Sequence, residues 1–305
     1  MIRPAAALIA FVIAIGVARA EPVFPDLESV DVLDARSGAP LTLDEFDARI
    51  RSADILLLGE VHDNPMHHIG QAAILRQRFA NVDRPASVVF EMLPRSKQST
   101  IDAYQGGAAG FADAMGWHDT GWPDAAIYQP VFDAAFALEA RLIAGDLDRD
   151  LIHTLYSDGT EALPSAVLRM FRLMDPLPDS VRSEMTELQF RSHCELFPRE
   201  RMAGMITIQR ARDAALAEAV ADARLRSGGP VVLIAGTGHV RIDHGAGALL
   251  RRALPEDVVL AIGFVERDSW QGAPAPYDLV IVTDPQDRPD PCDALRKSHG
   301  RSGSD

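Results

Sequence analysis

Four common active-site motifs are missing from this sequence of 305 residues. The chain contains no HExxH zinc helix, no GxSxG nucleophile elbow, no phosphate-binding loop and no dinucleotide-binding glycine pattern. Their absence argues against a serine hydrolase, a kinase or a dehydrogenase. The chemistry of this chain must therefore depend on other polar residues.

Cysteine and positive charge are also scarce. Cys194 and Cys292 are the only cysteines, and they lie so far apart in sequence that their number and spacing leave open whether they pair. Because 30 Lys and Arg residues face 44 Asp and Glu residues, the formal net charge is −14. Nucleic acid and anionic membrane surfaces are poor partners for such an acidic protein.

The first twenty residues have the pattern of a secretory signal. Arg3 provides a basic start, and residues 5–17 form an apolar stretch that is short for a membrane span. The small residues Ala18 and Ala20 then form a cleavage signal before Glu21. We predict that residues 1–20 are removed and that the protein is exported, either to the periplasm or out of the cell, with no stable membrane span. No cysteine directly follows the apolar stretch, which argues against lipid attachment at the new N-terminus.

Apolar runs alternate with helical stretches along the rest of the chain, which is typical of an α/β fold with a mostly parallel sheet flanked by helices. Strands are predicted at Ile55–Gly59, Ala86–Glu91, Arg141–Ala144, Val231–Ala235, Val258–Phe264 and Asp278–Thr283. We expect one domain over residues 21–284. A smaller helical subdomain would be inserted near residues 99–138 and 161–226, and the polar residues 285–305 would be largely disordered.

Two of the predicted strands end in the same way. Residues 55–62 read ILLLGEVH and residues 231–239 read VVLIAGTGH, so each run stops at a glycine and reaches a histidine three residues later. If these strands are parallel neighbours, His62 and His239 lie at the same edge of the sheet. Ligands bind at this edge in open α/β sheets. Glu60 and Glu91, which directly follows the run SVVF, would share the pocket.

Imidazole and carboxylate groups together can bind a transition metal, orient a water molecule, or act as acid and base. Each residue also has a structural alternative. Glu60 can cap the following helix, His62 can bond to a loop carbonyl, and Glu91 can pair with Arg95 or Lys97.

The helix predicted after His62 begins with Asn64 as N-cap and Pro65 in the first turn. His67 and His68 fall in that turn on different sides of the helix, and at least one of them is expected to pack or to face solvent. Trp117, Trp122 and Tyr128 form an aromatic group that suits either a core or a flat ligand.

Several motifs together resemble a known family. They are LLLGEVHDNPMHH, FEM at residues 90–92, WHDTGWP, FRSHC, QRARDAALA at residues 209–217 and LIAGTGHV. In this order the set is similar to the ChaN-like haem-binding uptake proteins of the Tiki superfamily, from about residue 55 to residue 250.

The resemblance implies a haem-binding protein of bacterial iron acquisition, in which two subunits pair around stacked haems. Carried over by motif, its ligand-binding positions are Glu60, His62, Glu91 and His239, with His68 as a further pocket member. The resemblance also implies a lipid-bearing cysteine and a tyrosine at the iron. Here that cysteine is absent, and all four tyrosines lie outside the pocket motifs.

Other branches of the superfamily, the Tiki-type metalloproteases and the erythromycin-esterase-like enzymes, are hydrolases. The resemblance therefore leaves a second function open. In this alternative, His62 or His239 would act as base on a water molecule, and Glu60 or Glu91 would orient that water or bind a divalent metal.

Overall fold

The computed structural model describes residues 30–80, 82–290, 292–293 and 296. The predicted signal segment, residues 1–20, lies outside the described residues. Helices and strands follow one another in the order β1 (Asp31–Asp34), α1 (Leu43–Ser52), β2 (Ile55–Glu60), α2 (Pro65–Phe79), β3 (Ser87–Pro94), α3 (Gln98–Ala103), α4 (Phe111–Met115), α5 (Ala125–Ala137), β4 (Arg141–Asp146), α6 (Arg149–Asp158), α7 (Ser165–Met170), α8 (Asp179–Ser192), α9 (Met202–Ser227), β5 (Val231–Gly236), α10 (Ala246–Ala253), β6 (Val259–Glu266) and β7 (Leu279–Thr283).

The seven strands form one sheet in the order β1-β7-β6-β2-β5-β3-β4. All neighbours are parallel except β1, which runs antiparallel to β7 at one edge. The predicted mostly parallel α/β sheet is therefore confirmed. The sequence pattern does not predict β1, because this edge strand has only four residues and begins and ends with aspartate.

The central strands are buried on both faces, which explains their continuous apolar runs. Because side chains alternate along a strand, Leu56 and Leu58 pack on one face with α2 and α5. Ile55 and Leu57 pack on the other face with α9 and α10. The two faces thus form two apolar layers.

The adjacent strands β2 and β5 lead into helices on opposite faces of the sheet. Helix α2, which follows β2, packs in the first layer, and α10, which follows β5, packs in the second. Where neighbouring connections diverge in this way, a crevice forms beyond the carboxyl ends of the strands. The fold therefore creates a crevice at the ends of β2 and β5.

The helical stretches are close to their predicted positions. Helix α2 begins at Pro65, and Asn64 caps it by accepting a hydrogen bond from the amide of Met66 at 3.0 Å, as predicted. The second stretch begins earlier than predicted, at Arg149 rather than near residue 161. Its first helix is held because Leu155 is buried in the layer that also contains α9.

The chain beyond β7 contacts the domain where it is described, whereas residues 291, 294–295 and 297–305 of the tail predicted to be disordered lie outside the described residues. Arg288 pairs with Glu266 at 2.6 Å and with Asp63 at 2.8 Å. Cys292 forms a disulfide with Cys194, which resolves the pairing that the sequence leaves open. These contacts are polar or covalent, so apolar periodicity does not reveal them.

None of the described helices is both long and apolar enough to cross a membrane.

Candidate functional site

The ends of β2 and β5 meet as the glycine-to-histidine turns predict. Glu60 and Gly236 are register partners in the parallel pair, so the two turns leave the sheet side by side. Their histidines flank Glu91 from β3. Nε2 of His239 lies 3.3 Å from Oε1 of Glu91, and Nε2 of His62 lies 4.0 Å from Oε2. The structure thus brings Glu60, His62, Glu91 and His239 together.

Glu60 is buried and accepts hydrogen bonds on both carboxylate oxygens. Oε1 accepts from Nδ1 of His62 at 2.9 Å and from the Tyr128 hydroxyl at 2.6 Å, while Oε2 accepts from the Gln71 amide at 2.6 Å. Burial alone would raise the pKa of Glu60. Hydrogen bonds from His62 and His68 outweigh it and lower that pKa to about 2. Glu60 is therefore a carboxylate at neutral pH.

His68 is fully buried behind Glu60. Its Nε2 lies 3.0 Å from the carbonyl oxygen of His62, and its Nδ1 lies 3.1 Å from Oε1 of Gln71 and 3.3 Å from Oε2 of Glu60. Because acceptors face both nitrogens, only the imidazolium form can donate to both. Burial opposes this charge, but Glu60 outweighs burial and raises the pKa of His68. His68 therefore positions Glu60 rather than reaching the crevice.

His239 is also held at both ring nitrogens. Its Nδ1 lies 2.6 Å from Oδ1 of Asp213, opposite the contact with Glu91. Burial lowers the pKa of His239, but the two carboxylates dominate and raise it to about 10. This imidazole is a charged, buried link between two acids.

Glu91 pairs with Arg212 of α9, not with Arg95 or Lys97 as one sequence-based alternative has it. Arg212 donates to Oε1 of Glu91 at 2.7 Å and also to Asp146 at 2.6 Å, while the amide of Gly236 donates to Oε2 of Glu91 at 2.7 Å. The chain turns after β3, so that Arg95 points to α9 and pairs with Glu218.

His62 is the most exposed of the predicted site residues. About a third of its side chain, 31 %, reaches solvent, against 7 % for His239 and none for His68. Nδ1 of His62 bonds to Glu60, and its Nε2 makes no hydrogen bond to any described residue. Burial lowers the pKa of His62, but the hydrogen bond with Glu60 and the charges of Glu91 and Glu60 outweigh burial and raise that pKa. The ring packs edge-on against Trp122, with centroids 4.7 Å apart. His62 is thus the group that can meet a ligand.

His67 packs in the core, which agrees with the expectation for at least one histidine of this helix. Its Nδ1 accepts from the amide of Val61 at 2.9 Å, and its Nε2 lies 2.9 Å from the Thr283 hydroxyl. Burial is the main cause that lowers the pKa of His67 to about 4. This neutral histidine holds the turn that leads to His62.

Four residues that shape the site are not among the predicted site residues, namely Gln71, Tyr128, Arg212 and Asp213. A signal for two of them exists in the segment QRARDAALA, where a charged pair interrupts an alanine-rich helix that must pack on the sheet. Tyr128 carries no such signal. Its place beside Glu60 follows only from how α5 packs on α2.

Comparison with known families identifies the group. The family model described as haem-binding uptake, Tiki superfamily, ChaN matches residues 47–250. The chain belongs to this family. No curated protein sequence matches it.

Among solved structures, ChaN of Campylobacter jejuni, described with cofacial haem binding, is similar in fold. It shares 20 % identity, the match covers 85 % of this chain and 98 % of that one, and the TM-score is 0.68. A mutant erythromycin esterase in its open conformation shares 16 % identity over 85 % of this chain and 84 % of its own, with a TM-score of 0.44.

Proposed function

We propose that this protein binds haem at the carboxyl edge of its sheet, with His62 as the iron ligand, and serves haem or iron uptake. The observation that carries this proposal is the partly exposed side chain of His62, whose Nε2 makes no hydrogen bond to a described residue, in a member of the haem-binding uptake family. Histidine is a common axial ligand of haem iron. Ligating histidines usually donate their other nitrogen to a carboxylate, as His62 does to Glu60.

The surroundings of His62 suit a flat apolar ligand. Trp122 lies beside the imidazole, and the first turns of α2 expose Met66 and Ile69, whose relative exposures are 36 % and 39 %. These two residues are three apart and thus neighbours on the helix surface. Tyr128 does not fit the role of a tyrosine at the iron, because it is fully buried and its hydroxyl bonds to Glu60.

Within this proposal the other predicted residues support His62. Glu60 fixes the imidazole and increases its basicity, His68 fixes Glu60, and Glu91 with His239 forms a buried charged floor. Bound haem would supply the iron that His62 ligates.

Haemin titration followed by absorption tests the proposal. We expect a saturable Soret shift in the wild type and an affinity at least roughly tenfold lower, about 1.4 kcal/mol, in His62→Ala. Added imidazole should restore the band positions of this variant. The control is His153→Ala, which removes an exposed histidine of α6. Wild-type affinity and band positions in His62→Ala would refute His62 as ligand.

Sedimentation with and without haemin measures the homodimer that the family resemblance implies.

A second candidate function is hydrolysis, and one observation favours it. Nε2 of His62 lies across a 4.0 Å gap from Oε2 of Glu91, which suits a base next to an orienting carboxylate. His239 is unsuited to be the base because both its nitrogens face acids. Ester and peptide turnover that is lost in both His62→Ala and Glu91→Gln would support hydrolysis. No turnover in the wild type would reject it.

The divalent-metal form of this second function has less support. In the described part of the chain, the one group of three candidate ligands that converge is Glu184, Asp243 and His244, outside the central cluster. Metal analysis of protein purified without chelators tests whether the protein binds a divalent metal.

We also propose that the protein works outside the cytoplasm. The disulfide between Cys194 and Cys292 supports this location, because such bonds persist in oxidising compartments. Mass spectrometry of the mature protein should place its first residue at Glu21. A mature protein that retains residues 1–20 and is found in the cytoplasm would contradict export.

A further inference from the structure

A second concave region lies behind His239, on the face of the sheet that carries α9 and α10. This cavity has a volume of about 430 Å³. Phe171, Leu173 and Leu249 supply apolar walls, and all three belong to the second apolar layer. The volume is in the range of small-molecule pockets.

Two buried side chains in the cavity lining have polar atoms that make no hydrogen bond to the described residues. The His244 side chain is only 6 % exposed, and its Nε2 lies 3.8 Å from Oδ1 of Asp243, too far for a hydrogen bond. Neither ring nitrogen has a hydrogen-bond partner among the described residues. Asp213 is fully buried, and its Oδ2 is likewise unpartnered, although its Oδ1 holds His239. Because a buried polar atom without a partner costs stability, such atoms in a cavity wall point to a ligand.

The lining contains charges of both signs. Each of its three aspartates already has a cationic partner, namely Arg172 for Asp175, His239 for Asp213 and Arg241 for Asp243. The Arg210 guanidinium donates to the backbone carbonyls of Leu173 and Asp175 but forms no ion pair with any described carboxylate. The exposed Arg252, which is also in the lining, forms none with the described residues either. In a protein with a net charge of −14, two arginines free of ion pairs at one cavity favour an anionic ligand.

A metal ion is a weaker explanation for His244. Ligand atoms of Glu184, Asp243 and His244 lie within 4.8 Å of one another. The guanidinium of Arg241, however, already donates to Glu184 and to Asp243. A cation is therefore in place between the two carboxylates, and it would repel a metal ion.

We propose that this cavity binds a small carboxylic acid with an aromatic or branched aliphatic body. The carboxylate would pair with Arg210 and Arg252 and accept a hydrogen bond from His244, while the body packs against Phe171 and Leu249. Since Asp213 lines the cavity and holds His239, an occupant contacts the back of the candidate functional site. The proposal does not depend on haem binding.

Calorimetric titration with 3-phenylpropionate, in the absence of haemin, tests the proposal. We expect saturable 1:1 binding, and binding at least about tenfold weaker for the uncharged probe 3-phenylpropanamide, because it cannot pair with the arginines. No saturable binding to the wild type, or equal binding of acid and amide, would overturn it. Either failure leaves the haem proposal standing.

Single substitutions test whether 3-phenylpropionate binds in this cavity. Arg210→Gln should weaken binding of 3-phenylpropionate at least about tenfold. Arg201→Gln, an exposed position before the same helix, should leave binding unchanged. Ala248→Phe places a ring in the cavity and should abolish binding. If Arg210→Gln does not fold, Arg252→Gln provides the charge test at an exposed position. Unchanged binding in Ala248→Phe would place the ligand elsewhere and refute the site.

His244→Phe separates a ligand role from a structural one. Removing two unpartnered nitrogens should raise the melting temperature of the empty protein while weakening binding of 3-phenylpropionate. A lower melting temperature with unchanged binding would show that His244 serves packing alone, and would remove it from the site.

Discussion

Tyr128 donates a hydrogen bond of 2.6 Å to Oε1 of Glu60, across 68 positions of sequence. The same oxygen accepts from Nδ1 of His62 at 2.9 Å. One carboxylate oxygen thus joins Tyr128, a member of the aromatic group, to the partly exposed imidazole of His62. The position of His62 depends on a residue that none of the motifs contains.

Replacing Tyr128 by Phe should remove this bond and keep the ring packing. We expect the free energy of unfolding to fall by about 1.5–3 kcal/mol, because the acceptor is charged and buried. Urea denaturation measures the loss. The matched control is Tyr156→Phe, at a tyrosine that is 47 % exposed, and its effect should stay within about 0.5 kcal/mol. Equal effects of the two variants would contradict a buried bond. The Soret position of a haem complex should not change in Tyr128→Phe.

Arg212→Met should be far more damaging than an ordinary surface change. It leaves Glu91 and Asp146 as buried carboxylates without their shared cation, a loss we expect to cost about 3–5 kcal/mol of unfolding free energy. Arg226→Met on the same helix removes an exposed pair with Asp222 and should cost less than about 1 kcal/mol. Adding Glu91→Gln and Asp146→Asn to Arg212→Met should recover part of the loss. A mild effect of Arg212→Met alone would disprove the network.

His67 should make the fold sensitive to mild acid. Its folded-state pKa of about 4 lies below its ordinary value of 6.5, so the unfolded chain binds the proton first as the pH falls. Neutral His67 makes its full contribution to the free energy of unfolding above pH 6.5. As the pH falls toward 4, the free energy of unfolding decreases by about 3 kcal/mol through this residue.

His67→Gln should flatten this dependence, which chemical denaturation at several pH values between 6.5 and 4.5 can measure. The lowered pKa values of the buried glutamates act below that window. Identical slopes for the wild type and His67→Gln would rule out this assignment.

Reducing the disulfide should destabilise the protein and release the C-terminal segment. The bond closes a loop with a sequence separation of 98 residues, for which we expect a stabilisation of about 2–5 kcal/mol. Melting curves with and without dithiothreitol measure it. The double variant Cys194→Ser and Cys292→Ser should melt like the reduced wild type and should not respond to the reductant. A wild type that is insensitive to the reductant would indicate that the bond does not form.

Much of the candidate site follows from local pattern. Gly59 is the last but one residue of β2, and Gly236 is the last residue of β5. They precede His62 and His239 by the same number of residues, so parallel pairing alone places the imidazoles at one edge. The position of Glu91 follows from the end of β3 in the same way. The sequence does not show which arginine pairs with Glu91, because Arg95 and Arg212 have the same side chain. Only the turn after β3 directs Arg95 to Glu218 and leaves Glu91 to Arg212.

The sequence by itself determined the parallel α/β architecture, the sheet edge where the candidate site lies and the resemblance to the family, because strand runs, glycine stops and motif order are properties of neighbouring residues. Only the tertiary structure decided which imidazole stays open to a ligand. Tyr128 and Arg212 reach Glu60 and Glu91 from 68 and 121 residues away. Such contacts depend on how helices dock on the sheet, and docking is a property of the whole core rather than of any segment.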